Sequence, residues 1–202
     1  MNGVLLALVA AFLAGIGARD QTLLAHLSAR GGPRPAWLAV AVATGAGAAI
    51  LAAWAGAQAA PELAPKLRAL LAALALALAG GELCLFARVK PPKEPTNSLG
   101  AAAIVLLAHQ ITDASRLLVF AIAVSWPAAQ TALGGALGGG AALVIGWVGG
   151  KQFLAATPQL RLARRVSGAI LLLSAAFVAW YTLGDVDRFY QSFIAFISAR
   201  AI

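Results

Sequence analysis

Charge is scarce in this sequence, and acidic charge is scarcer still. Asp, Glu, Lys and Arg make up 11% of 202 residues, seven acidic against fifteen basic, where a soluble domain carries about 25%. With 61% apolar residues and a mean hydropathy of +0.87, too few polar side chains remain to cover a water-facing surface, and an ordinary soluble domain is excluded. Cysteine is almost absent: Cys84 stands alone, which excludes an intramolecular disulfide and a Cys-based metal cluster and leaves it as filler in an apolar run. A glycine-rich nucleotide loop, a Ser/His/Asp triad, zinc-ligand spacing and a haem attachment signature are also missing, so no enzyme chemistry is visible and no cofactor is expected. The net charge of +8 does not point to nucleic acid. The basic residues sit mostly at the ends of apolar runs with no aromatic-interleaved basic stripe, and they read as topology signals in a lipid bilayer.

What is present in quantity is uncharged apolar chain. A membrane span needs about 20 mostly apolar residues, and six candidates emerge: 3 to 28, 36 to 58, 66 to 87, 98 to 124, 128 to 150 and 165 to 184. The run from Leu117 to Gly150 carries no charge and, at about 1.5 Å per residue, is too long for one crossing. Ser125-Trp126-Pro127 supplies the turn, because proline disfavours helix in the residue before it. The other breaks are Gly31 to Pro35, Pro61 to Lys66, the proline-rich Lys90 to Pro95, and Lys151 to Arg165. Met1 to Ala18 also reads as a signal peptide, against which stand the missing positive n-region and the repeat that pairs this segment with one in mid-chain.

Sliding the sequence on itself by 93 residues sets Gly45, Gly47, Ala48, Ala49, Trp54 and Gly56 on Gly138, Gly140, Ala141, Ala142, Trp147 and Gly149, and Pro65, Leu67 and Arg68 on Pro158, Leu160 and Arg161. The expected fold is an all-α integral membrane protein of six transmembrane helices: a first three-helix repeat at 1–90, a polar linker at 91–97, a second repeat at 98–184 and an amphipathic tail at 185–202. Three spans per copy force the copies to lie upside down relative to each other, as in many secondary transporters, whose substrate site lies where the repeats meet. Loops after the first, third and fifth spans hold nine Lys and Arg (Arg30, Arg34, Arg88, Lys90, Lys93, Lys151, Arg161, Arg164, Arg165) and the other side four. The positive-inside rule then places both termini outside, in the periplasm if the membrane is a bacterial inner one.

Ionisable groups inside spans cost roughly 2.5–3.5 kcal/mol each: here Arg19, Asp20, His26, Glu82, His109, Asp113 and Arg116. The same offset sets Asp20 on Asp113 and Thr22 on Ser115, so Asp-x-(Thr/Ser) occurs once in the first span of each repeat. Paired carboxylates with hydroxyls beside them make an oxygen-rich cation site or a proton relay.

The segments Gly17-Ala18-Arg19-Asp20-Gln21-Thr22 and Gln110-Ile111-Thr112-Asp113-Ala114-Ser115 resemble the paired Glu-x-Gly-Asp-(Lys/Arg)-(Ser/Thr) signature of the GDT family of manganese/calcium transporters. That family shares the six-span, three-plus-three layout. The resemblance implies exchange of Mn²⁺ or Ca²⁺, as cargo and not as cofactor, against protons. The cation-binding residues it implies are Asp20, Thr22, Gln110, Asp113 and Ser115, with Asp20 and Asp113 as the metal ligands. Only the Asp and the Thr/Ser survive in both halves. The glutamate positions are Gly17 and Gln110, and Asp20 and Asp113 stand against Arg19 and Arg116 for a formal sum of zero, where Ca²⁺ wants about 6–8 oxygens.

Arg19 and Arg116 are modulating charges, and a guanidinium lying where the ion would sit is a tethered substitute for it. Asp113 and Arg116, three apart on one helical face, also read as a neutralising pair. Arg19 points about 100° from Asp20 and toward a contact across the repeats. His109 and Glu82 are proton-relay candidates, with Glu82 otherwise paired to Arg88. Two further functional readings stay open: a non-transporting membrane scaffold or partner subunit derived from that family, and a small-solute exporter of another inverted-repeat family.

Overall fold

The computed structural model describes residues 3–85 and 98–200, with side chains other than those of 157 and 185–200. The expected linker at 91–97 and the basic residues Arg88, Lys90 and Lys93 lie outside the described residues. So do the side chains on which the amphipathic reading of the tail rests.

The described chain is all helical: α1 (Gly3–Gly15), α2 (Arg19–Gly31), α3 (Pro35–Glu62), α4 (Pro65–Leu85), α5 (Leu99–Ile111), α6 (Ala114–Ala123), α7 (Ala128–Ala155) and α8 (Thr157–Arg200). Four helices are long and apolar enough to cross a membrane: α3, α4, α7 and the Pro158–Gly184 part of α8. The expected first and fourth spans are each a bent pair. The chain turns by 58° between α1 and α2 and by 55° between α5 and α6, and counting each pair as one span gives six. The sequence reading gave one span in each place and did not give the breaks.

Proline positions fix several boundaries. Pro35 opens α3 at a first-turn position, where the missing N–H is harmless. Pro127 precedes α7 and closes off α6, as expected from Ser125-Trp126-Pro127. The expected loop over Lys151 to Arg165 shrinks to a kink at Gly150 (φ +42) and one residue, Ala156, between α7 and α8. Pro158 permits this early start, and Arg161, Arg164 and Arg165 ride on the opening turns of α8 instead of on a loop. The backbone of α8 then runs through residue 185 to Arg200 without a break.

Packing interleaves the two halves of the chain. α7 lies against α1, α2 and α3, α4 lies against α8 and α6, and α3 lies against α5 and α6. The core is made of small residues, with Ala7, Ala11, Ala41, Ala49, Ala53 and Ala79 all fully enclosed. The outward face is apolar, with Leu13, Ile104, Val148, Leu173 and Trp180 at least 60% exposed. A water-soluble bundle places such side chains inside. A lipid-facing one has no reason to.

Glycine sets the closest approach. A Cβ on Gly134 would stand 2.9 Å from Ala7 Cβ, and one on Gly138 would stand 3.0 Å from Phe12 N and nearer still to Leu8 O, so α1 rests directly on the backbone of α7. Gly47 on α3 meets nothing within 4 Å. Gly138→Ala is therefore expected to cost about 1–3 kcal/mol through overpacking, while Gly47→Ala stays neutral or gains up to about 1 kcal/mol from helix propensity. Thermal melting of both variants in detergent checks the contrast, and equal midpoints would remove the close-approach account.

Candidate functional site

Each break falls on the aspartate-bearing segment of its half. α1 stops at Gly15, Gly17 takes φ +72, and Ala18 is extended (φ −65, ψ 164) before α2 begins. α5 stops at Ile111, Thr112 takes φ −97 and ψ 6, and Asp113 is extended (φ −77, ψ 146) as the cap of α6. Only the first turn uses a left-handed conformation, and glycine supplies it.

A helix interrupted in an apolar surrounding leaves backbone groups without partners, and here side chains take them up. Asp113 Oδ2 accepts from Ser115 N at 3.0 Å and also from Ser115 Oγ, which makes it a self-contained N-cap. In the first break Gln21 Oε1 accepts from Gly17 N at 2.6 Å while Gln21 Nε2 donates to Ala142 O of α7. Arg164, reaching over from α8, donates Nη1 to Ala14 O at 2.9 Å and to Ile16 O at 3.0 Å, which satisfies the carbonyl end of α1. Gln110, near the end of α5, reaches across to the opposite half as Gln21 does, donating Nε2 to Ala41 O of α3 at 3.0 Å. Each broken span is thereby tied to the second span of the opposite half.

The two breaks meet. Asp20 is 7% exposed and Asp113 2%, and Asp20 lies within electrostatic reach of Asp113, Arg116 and Gln110. Arg116, 3% exposed, does not pair with Asp113. It donates Nη1 to Gly135 O at 3.3 Å, and its guanidinium lies between α3 and α7. Nη2 is 3.2 Å from where a Gly45 Cβ would stand and 2.9 Å from where a Gly139 Cβ would stand. Gly45 and Gly139, having no side chains, clear this space.

Arg19 turns away from Asp20 and forms an ion pair with Glu82 Oε1 at 3.2 Å, within its own half. Glu82, 6% exposed, is thus held by Arg19, and it lies within reach of Asp113 and Arg164; Arg88, its other expected partner, lies outside the described residues. Although the repeat gives Glu82 no counterpart, the fold brings it to the cluster. His109 is partly buried, its Nδ1 has no partner, and it lies within reach of Arg19 and Asp113. The hydroxyls are less available than expected: Thr22 Oγ1 donates to Ala18 O at 2.8 Å, and the Thr112 hydroxyl is exposed and points back to Ala108 O and His109 O.

Two members of the site were not expected from sequence. Arg164 had been counted among topology charges; only its spacing of three from Arg161, inside a helix whose next turns are apolar, hinted that one face of this basic run is buried. Gln21 stands where the resembled signature carries Lys or Arg, and it is fully enclosed. With both included, the cluster holds three carboxylates (Asp20, Glu82, Asp113) and three guanidiniums (Arg19, Arg116, Arg164). Among the described residues no three His, Cys, Asp or Glu converge as metal ligands. A lateral crevice of about 550 Å³ between α1, α4, α6 and α8 is apolar, lined by Ala14, Leu83, Leu118 and Leu171 among others, and does not include the aspartates.

By helix length and hydropathy the chain is a multi-pass membrane protein, with four to six spans among the described residues. It matches no family model, no curated protein and no solved structure.

Arg164 is the one described side chain that satisfies two carbonyls of the first break from another element. Arg164→Met is expected to lose about 1.5–3 kcal/mol, the worth of hydrogen bonds to a charged donor. Arg165→Met, at an exposed neighbour, is expected to lose none. Paired melting curves of the two variants in detergent read the difference, and equal curves would remove Arg164 from the break.

Proposed function

We propose that this protein is a secondary transporter with two inverted three-helix repeats, exchanging a cation for protons at a centre made by Asp20, Asp113 and Gln110, with Thr22 and Ser115 beside them. The observation that carries the reading is that both broken spans break at their aspartate and that the two aspartates are brought together, buried, where the halves meet. Discontinuous spans whose half-helix ends face a shared site are the construction secondary transporters use to bind ions. Similar bends, the same order of broken and unbroken spans in each half, and the packing of α3 on α7 and α4 on α8 support the repeat.

Mn²⁺ or Ca²⁺ is the cargo by resemblance to the GDT family. Glu82 and His109, both within reach of Asp113, are the groups through which protons would leave or reach the centre. Removing Arg164 from the nine inner charges leaves eight against four, so the reading keeps both termini on the outer face of a bacterial inner membrane.

One observation favours a second reading. The three-to-three balance of buried charge is complete without any cargo, as expected of a protein that no longer transports and persists as a membrane scaffold or partner subunit.

Uptake of Mn²⁺ and Ca²⁺ into proteoliposomes under an imposed proton gradient separates the two. An exchanger shows flux above empty liposomes that falls at least tenfold in both Asp20→Asn and Asp113→Asn, without loss of reconstituted protein. Absence of flux in the parent protein would favour the scaffold.

A further inference from the structure

We propose that Arg116 is the resident cation of the Asp20–Asp113 centre: its guanidinium occupies the space a transported cation takes, and cargo binds only by displacing it. This rests on the reading of that centre as a cation site and adds what regulates it. Four observations support it.

The guanidinium lies where α3 and α7 face each other, and the side chains that would exclude it are missing on both helices, at Gly45 and at Gly139. It is 97% enclosed, since Arg116 is 3% exposed. It is nonetheless held loosely for a buried arginine. One 3.3 Å hydrogen bond to Gly135 O is drawn, Nε has no partner, and neither aspartate closes on it as a bidentate pair.

The fourth observation points to a ligand. Asp113 Oδ1 and Gln110 Oε1 are both buried oxygens without partners, although Asp113 is 2% exposed and Gln110 fully enclosed. Gln110 Nε2 and Arg116 Nη2 each lie 3.2 Å from the same point, where a Gly45 Cβ would stand. Buried acceptors are almost always satisfied. Two left open beside a loosely bound positive charge describe a cation site whose oxygens are balanced in charge by the arginine without being ligated by it. A purely structural arginine would be engaged by these oxygens directly, since an unpaired buried charge is strongly unfavourable.

The resident charge competes with cargo, so its removal strengthens cation binding. The test is a titration of purified detergent-solubilised protein with MnCl₂ and CaCl₂, read as the rise in melting temperature, with choline chloride at matched ionic strength as the control. Four proteins are compared: the parent, Arg116→Gln, Arg116→Lys and the double variant Arg116→Gln with Asp113→Asn. The half-saturating concentration is expected to fall at least tenfold in R116Q relative to the parent, to stay near the parent in R116K, which keeps the charge, and to rise again in the double variant.

A folded R116Q that binds no more tightly than the parent overturns the proposal, as does equal tightening in R116K or in the double variant. Should R116Q fold poorly, the proposal expects Mn²⁺ or Ca²⁺ in the solubilisation buffer to restore its yield, and an unchanged yield overturns it. Parent flux in proteoliposomes judges the exchanger reading separately. Flux with an unaltered R116Q removes only the arginine's role, and tight binding by R116Q without parent flux describes a site closed by its own arginine. No binding by any of the four removes both.

Discussion

The structure depends on the need to satisfy backbone polar groups where a helix is interrupted in an apolar medium. Water is not there to receive the freed N–H and C=O groups, and each one left open costs several kcal/mol. Two interruptions are therefore possible only with dedicated partners. The side chains that supply them, Gln21, Asp113 and Arg164, are polar residues a lipid-embedded bundle would otherwise do without. Once Arg164 is committed to the carbonyls of α1, a positive charge is fixed inside the bundle, and its neighbours must answer it. The charge cluster and the breaks are in this sense one feature.

Charge balance follows from the same medium. An isolated ion in low dielectric is unfavourable enough that buried charges come in compensating sets. The three carboxylates and three guanidiniums do so without tight pairing: within the set one ion pair is drawn, Arg19 with Glu82, while Asp20, Asp113 and Arg116 interact across short gaps. A divalent site needs an excess of negative charge over its ligand sphere. Here the excess exists only when Arg116 is left out of the sum. The glycines at 45 and 139 and the arginine at 116 belong together on this view, since the space made by the first two is filled by the third.

Much of this was legible in the sequence. The all-helical, multi-pass character, the turn at Ser125-Trp126-Pro127 and the burial of Asp20 and Asp113 followed from hydropathy, proline chemistry and the cost of charge in lipid. The breaks were not read, although Asp-x-Ser is an N-cap pattern and Gly15-Ile16-Gly17 interrupts the first apolar run. Hydropathy averages over such a break because neither half changes composition. Arg164 was misplaced for a related reason: a basic run near a span end reads as interfacial, and only tertiary packing reveals that one member turns inward to carbonyls 148 and 150 residues away. The pairing of Arg19 with Glu82 is likewise invisible to an offset that gives Glu82 no counterpart.

The two halves share a plan but not its restraints. The first break is bound to the second half twice, through Gln21 to α7 and through Arg164 of α8, while the second is bound to the first only through Gln110 to α3 and otherwise caps itself. α1 lies on the bare backbone of α7 at Gly134 and Gly138, and Gly80 of α4 meets α8 as closely, a Cβ there standing 2.8 Å from Gly168 O. The contacts of α1 and α2 with α7, and of α4 with α8, each join the two halves of the chain. The contact of α3 with α6 is as close, since a Cβ on Gly56 would stand 3.0 Å from Ala123 Cβ and nearer still to Phe120 O. Arg116 sits on that seam, with α3 on one side and α7 on the other, so any shift of α3 against α6 changes the guanidinium's surroundings.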